Sequence, residues 1–286
     1  MSRKPFISPL ALDRMRTSAA SPVIFDATLL LHKARFDGDF NVESGRQRWE
    51  EARVPGSVHV EVDTELSVPD LTHDRHPPPQ VLADNLARLG VGQVTQVVVY
   101  DSTGGLWAAR VWFLLRWIGV PALVLDGGLS GWRASGLPVE SGPGRVTVPV
   151  AGWKARAARD AWIDKDELLQ FGDFAGHLVC GLSPASFGGS EPTRYSRRGH
   201  IPGSINVPAR SLFDEAGFIR TEAEVIARYR DAGADLDSEV LLYCGGGISA
   251  TANALALSSI GVHNTRVYDG SLEEWSADPE LPLIVS

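Results

Sequence analysis

The chain has 286 residues, 44% of them hydrophobic and 22% charged, enough for one large domain or two ordinary ones with cores of their own, which argues against disorder, collagen and coiled coil. Its 27 basic and 35 acidic side chains give a net charge of −8 with no basic run, so neither a nucleic-acid footprint nor binding to an anionic membrane is expected. Any anionic substrate has to be met by a few local arginines.

In chain order, Met1 to Ala20 mixes Arg3, Lys4, Asp13, Arg14 and Arg16 with short apolar stretches and lacks the continuous apolar segment of a secretory signal. A short strand is predicted at Val23 to Phe25, followed by a turn at Val54-Pro55-Gly56-Ser57. A helix follows, carrying Val81, Leu82, Leu86 and Leu89 at helical spacing and stopping at Gly90. The run Val97-Val98-Val99-Tyr100 predicts a buried strand; a turn, an apolar helix and a strand ending at Leu125-Asp126 come after it. The most apolar region, Val111 to Leu125, is interrupted by Arg116, Gly119 and Pro121 and falls short of a membrane span. From Leu137 to about Ala158, prolines and glycines without an apolar period predict a linker.

The same order of elements then returns. A strand at His177 to Val179 is followed by the turn Ile201-Pro202-Gly203-Ser204, a helix with Val225, Ile226 and Tyr229 that stops at Gly233, a strand Val240-Leu241-Leu242-Tyr243, an apolar helix, and a strand ending at Tyr268-Asp269. At an offset of 143 residues Gly90 meets Gly233, Tyr100 meets Tyr243, Asp126 meets Asp269 and Trp132 meets Trp275. Aliphatic strands alternating with helices predict an α/β fold made twice, each copy a parallel sheet with helices on both faces. The expected boundaries are 1–140 for the first domain, 141–158 for the linker and 159–286 for the second domain. Trp132 and Trp275 read as packing residues.

The copies differ at the end of the central strand, where Tyr100-Asp101-Ser102 faces Tyr243-Cys244-Gly245. Ligands of open parallel sheets bind outside the carboxyl ends of the strands. There the second copy sets a thiol, then Gly245-Gly246-Gly247-Ile248-Ser249 leading into a helix. Glycines let backbone N–H groups turn inward and the helix N-terminus adds partial positive charge, so the segment is suited to a cysteine thiolate. Cys244 is the candidate nucleophile, and the amides of Gly245 to Ser249 are its candidate cradle. The two cysteines, Cys180 and Cys244, form no C-x-x-C pair, which argues against a disulfide framework or a cysteine zinc site. No metal or cofactor is expected, and a reducing, cytoplasmic setting fits.

The two Pro-Gly-Ser turns, the strand-Cys-loop-helix, the Asp-Gly-Gly and Asp-Gly-Ser segments followed by Trp, and the Asp101/Cys244 asymmetry together resemble tandem-domain rhodanese-type sulfurtransferases, from about Ser21 to Pro282. The resemblance implies two tandem rhodanese-like domains and double displacement: the cysteine takes a sulfane sulfur from a small donor, holds it as a persulfide and passes it to a thiol, cyanide or a thioredoxin-like protein acceptor. Phosphatases and arsenate reductases on this fold need a longer loop with an arginine, which Cys244 to Thr251 lacks. Cys-Gly-Gly-Gly-Ile-Ser is most similar to the loop of the 3-mercaptopyruvate group; the thiosulfate group carries loop cations absent here.

Two departures from that group stand out. The resemblance implies a proton relay from a serine two positions after the cysteine to an Asp and a His of the first domain. Here the serine position is Gly246, and the partners align as Asp63 and His76, with His73 a nearby alternative and water or Ser249 in place of the hydroxyl. The family's donor-binding Asp-Ala-Arg is here Cys180-Gly181-Leu182, so Arg194, Arg197 or Arg198 must bind a donor carboxylate. Cys180 reads as a buried replacement for a structural Asp, with a resolving thiol as the alternative. The alternatives are a thiosulfate sulfurtransferase, a persulfide carrier loaded by a partner protein, and an inert interaction protein.

Overall fold

The computed structural model describes residues 5–68, 75–145, 147–172 and 174–286. In the first half, β1 (Phe6–Ile7), β2 (Val23–Asp26), β5 (Val58–His59), β6 (Val97–Tyr100) and β7 (Ala122–Leu125) form a parallel sheet in the order β1-β7-β6-β2-β5. Between β2 and β5, β3 (Leu29–Leu31) and β4 (Val42–Ser44) make an antiparallel hairpin of their own. The second half holds β8 (Trp162–Ile163), β9 (Leu178–Cys180), β10 (Ile205–Asn206), β11 (Val240–Tyr243) and β12 (Thr265–Tyr268), all parallel, in the order β8-β12-β11-β9-β10. The two sheets share one topology, so the duplication read in the sequence is a duplication of fold.

Helices α1 (Pro9–Arg16), α2 (Arg46–Glu51), α3 (Val62–Glu65), α4 (Pro79–Arg88), α5 (Leu106–Trp117) and α6 (Gly128–Ala134) belong to the first half; α7 (Lys165–Gln170), α8 (Pro184–Phe187), α9 (Glu222–Asp231), α10 (Ile248–Ser259) and α11 (Ser271–Ala277) belong to the second. The central strands β6 and β11 are three aliphatic residues followed by a tyrosine and are fully buried, as strands covered on both faces must be. Helices α5 and α10 start directly after them and are buried nearly all round. They pack on each other, and their side chains join one core with residues of both sheets. Arg110 of α5, wholly buried, pairs with Asp269 at the end of β12, adding an ionic contact between the halves.

Residues 135–161 between α6 and β8 hold no helix or strand among those described. This segment runs back over the first half, Val150 N–H donating to Ala87 O (2.9 Å) and Ala158 N–H to Trp117 O (2.8 Å). No helix among the described residues is long and apolar enough to cross a membrane.

Candidate active site

Strand β11 ends at Tyr243, and the chain turns through Cys244 to Gly247 into α10. Gly247 caps the helix with φ +81°, and a Cβ there would lie 2.5 Å from Asp269 Oδ1, so only glycine fits. Ser271, the first residue of α11, fixes the loop from below. Its Oγ accepts from the N–H groups of Cys244 and Gly247, both at 3.1 Å, and donates to Tyr268 O at 2.7 Å. The carbonyls of Cys244 and Gly245 accept from Leu272 and Glu273 N–H at 3.1 and 2.8 Å.

The first half shows what such a loop holds. At the position matching Cys244, Asp101 folds its carboxylate into its own loop: Oδ1 accepts from Thr103 and Gly105 N–H, both at 2.8 Å, and Oδ2 from Ala108 N–H at 2.9 Å. The loop is thus an anion cradle, filled in the first half by its own side chain. At the same offset the corresponding amides belong to Gly246, Ile248 and Thr251; that of Thr251 donates to Gly247 O (3.3 Å), whereas that of Ile248, in the first turn of α10, has no intrahelical acceptor. Cys244 stands at the end of its central strand where Asp101 stands in the first half.

Above the loop lies a cavity of about 290 Å³. Cys244, only 2% exposed, and Gly245, Gly246, Ile248 and Ser249 form its floor. Leu182, Ser186 and residues 191–195 form a wall, and Leu31, Lys33, Ala34 and Phe40 from the β3–β4 hairpin of the first half form its roof. Gly38 N–H donates to Thr193 O (3.0 Å), Thr193 N–H to Asp37 Oδ1 (3.0 Å), and Arg198 Nε to both Asp37 oxygens at 2.9 Å, tying roof to wall. The site is assembled from both halves.

Of the three candidate arginines, Arg194 alone lines the cavity. Its Nε and Nη2 donate to His32 O at 3.1 and 2.6 Å, which holds the side chain against the roof. Burial draws its pKa downward, but a guanidinium stays charged. Arg197 instead donates to the carbonyls of Ser276, Asp278 and Leu281 (2.8, 2.6 and 3.0 Å), and Arg198 is engaged by Asp37. Of the five cradle residues, Gly247 lies outside the cavity lining and acts through the turn.

Neither Asp63 nor His76 lines the cavity over Cys244. Asp63 sits on α3, its carboxyl raised by burial and further by the neighbouring charge of Glu61. The His76 ring is stacked on Trp162 (4.4 Å between centroids) with Trp117 edge-on at 4.7 Å, and its backbone N–H donates to Asp269 Oδ2 at 2.8 Å. Burial pushes its pKa down, so the ring is neutral at pH 7 and serves the packing between the halves. His73 lies outside the described residues. Cys180 matches Asp26 by register, since each pairs with the tyrosine that ends its central strand. Its side chain packs with Leu178, Leu241 and Tyr243 on one face of the sheet, whereas Cys244 packs with Val179 and Leu242 on the other. Thiols facing opposite ways do not bridge without backbone movement, and burial pushes the Cys180 pKa up to about 12. Cys180 is therefore a core residue.

Sequence reasoning missed the roof, which rests on contacts far apart in the chain, and it missed Ser271. A signal for Ser271 existed: at the 143-residue offset it answers Gly128, and both sit in the left-handed region, with φ +48° and +54°.

Residues 29–135 and 189–278 match the Rhodanese-like domain family. The chain belongs to the rhodanese family. It is 32% identical over 241 residues to the 3-mercaptopyruvate sulfurtransferase of Escherichia coli strain K12, covering 83% of this chain and 85% of that protein. It is equally 32% identical, over 246 residues, to a putative thiosulfate sulfurtransferase, SseB, of Mycobacterium tuberculosis, covering 84% and 85%. The crystal structure of SseA from Escherichia coli superposes with a TM-score of 0.79 at 28% identity, over 94% of this chain and 99% of that one. The two parallel sheets and their flanking helices are thus the two-domain rhodanese fold, duplicated within one rhodanese chain.

Proposed function

We propose that this sulfurtransferase carries sulfur on Cys244, and that its donor is a small monocarboxylate of the 3-mercaptopyruvate type. The observation behind the nucleophile is that Cys244 stands at the position from which Asp101 accepts its own loop's amides in the first half. The Cys244 thiolate attacks the donor's sulfur, and the bond from that sulfur to the leaving group breaks, the electron pair departing with the leaving group. The negative charge moves to the outer sulfur of the persulfide, where loop amides face it. With mercaptopyruvate the leaving group is the pyruvate enolate, and the donor's thiol proton ends on its carbon. A thiolate or cyanide then attacks the outer sulfur and returns Cys244 as thiolate.

Arg194 is assigned to the donor's carboxylate in this reading, because it alone of the three candidate arginines lines the cavity. The hairpin roof over a 2% exposed thiol favours small donors over loading by a partner protein. Two-substrate kinetics with mercaptopyruvate and cyanide test the reading. Parallel double-reciprocal lines, with no turnover by Cys244→Ser, are expected; intersecting lines or an active Cys244→Ser contradict it.

A further inference from the structure

The lining of the cavity is unusual for a site that handles anions. Its two cations are Lys33 and Arg194, and its two carboxylates are Glu191 and Glu273. Lys33 lies 3.4 Å from Glu191, whose carboxyl the Ser186 hydroxyl holds below the usual range, with Lys33 itself adding to the effect. The lining is therefore close to electrically neutral.

Beside the hydroxyls of Ser186, Thr193 and Ser249 and the loop glycines, much of the rest of the lining is hydrocarbon. Leu182 stands over the cradle, its Cδ2 3.9 Å from where a Cβ on Gly245 would sit, and Leu31, Ala34, Phe40 and Ile248 complete a hydrocarbon face around the thiol. The volume, about 290 Å³, exceeds the roughly 150 Å³ of an apolar cavity that takes up benzene. A dianion entering such a site meets the loop amides with one charge and finds no net positive charge in the walls for the second, while a hydrocarbon body gains by burial.

From this we infer that the cavity selects sulfur donors with an apolar organic body and a single negative charge over inorganic dianions, and that Leu182 is the residue that sets the preference. The inference rests on the persulfide reading of Cys244 and specifies its substrate class. Benzenethiosulfonate and thiosulfate are matched probes, one carrying a phenyl group where the other carries an oxygen. In both, the Cys244 thiolate attacks the terminal sulfur and the S–S bond of the donor breaks. The electron pair leaves with benzenesulfinate in one case and sulfite in the other, and the same persulfide anion remains.

The test measures kcat/KM for both donors in the wild type, Leu182→Arg and Phe40→Ala, with cyanide as acceptor, and follows sulfur on Cys244 by intact mass. A wild-type preference for benzenethiosulfonate is expected. Leu182→Arg should lower the ratio of the two kcat/KM values by about tenfold or more, through a gain with thiosulfate as well as a loss with the aryl donor. Phe40→Ala, in the hairpin roof, should raise KM for benzenethiosulfonate and leave that for thiosulfate unchanged. A wild-type preference for thiosulfate, or a ratio indifferent to both substitutions while Cys244 still gains sulfur, overturns the inference and leaves the persulfide reading standing. Failure of both donors to place sulfur on wild-type Cys244 overturns the persulfide reading, and the inference with it.

Discussion

Ser271 shows how one residue can shape a reactive loop. A non-glycine side chain at φ +48° is strained, by roughly 1–3 kcal/mol in general. Gly128 avoids that strain at the same place in the first half. The strain is retained where the hydroxyl holds the amides of Cys244 and Gly247. Ser271→Ala keeps the backbone strain and removes the acceptor from two buried N–H groups, so it should cost roughly 1–3 kcal/mol in chemical denaturation. It should also slow sulfur loading of Cys244; loading at the wild-type rate would show that the loop keeps its shape unaided. Cys180 makes the opposite case: because its thiol faces away from Cys244, Cys180→Ala should load sulfur as the wild type does, as read by intact mass, and a loss of loading would restore the resolving-thiol reading.

At the level of elements, the strand-loop-helix unit was legible from sequence because each of its parts has a local cause. The aliphatic runs Val97–Tyr100 and Val240–Tyr243 are β6 and β11 to the residue, and the glycines after Cys244 announce the turn into α10. The expected Asp63–His76 relay was drawn by alignment to a spacing, and spacing says nothing about the tryptophan pocket that His76 enters: Trp162 and Trp117 come from distant segments. The roof was illegible for the same reason, since the β3–β4 hairpin meets residues 191–195 only after both halves have folded. Within the unit, Gly247→Ala must place a Cβ at φ +81° and 2.5 Å from Asp269 Oδ1. The left-handed backbone alone costs about 1–2 kcal/mol, and the contact adds to it. Lower thermal stability together with slower loading is expected, and a variant unchanged in both would show that the turn is more adaptable than its geometry implies.

Across the whole molecule the halves behave as one packed body, with α5 against α10 and the buried Arg110–Asp269 pair between them. Burial alone would raise the Asp269 carboxyl, but Arg110 and the N–H of His76 hold it below the ordinary aspartate range. Asp269→Asn takes the carboxylate partner from a buried guanidinium and should cost about 3–5 kcal/mol, read as a lower midpoint in urea; a variant as stable as the wild type would deny the pair its role between the halves. The pH dependence follows from His76. Its folded pKa is depressed by burial, so the unfolded chain binds more protons and stability rises with pH. Stability is therefore expected to fall as pH drops below about 6.5, the ordinary histidine value. In His76→Gln that fall should be shallower, and an equal slope in both proteins would remove His76 as its source.

The central claim is that sulfur resides on Cys244, and intact-protein mass spectrometry addresses it most directly. Wild-type protein incubated with 3-mercaptopyruvate should gain the mass of one sulfur atom and lose it again when cyanide is added, while Cys244→Ser gains nothing. A wild-type mass that stays unchanged, or a Cys244→Ser variant that still takes up sulfur, would contradict the account.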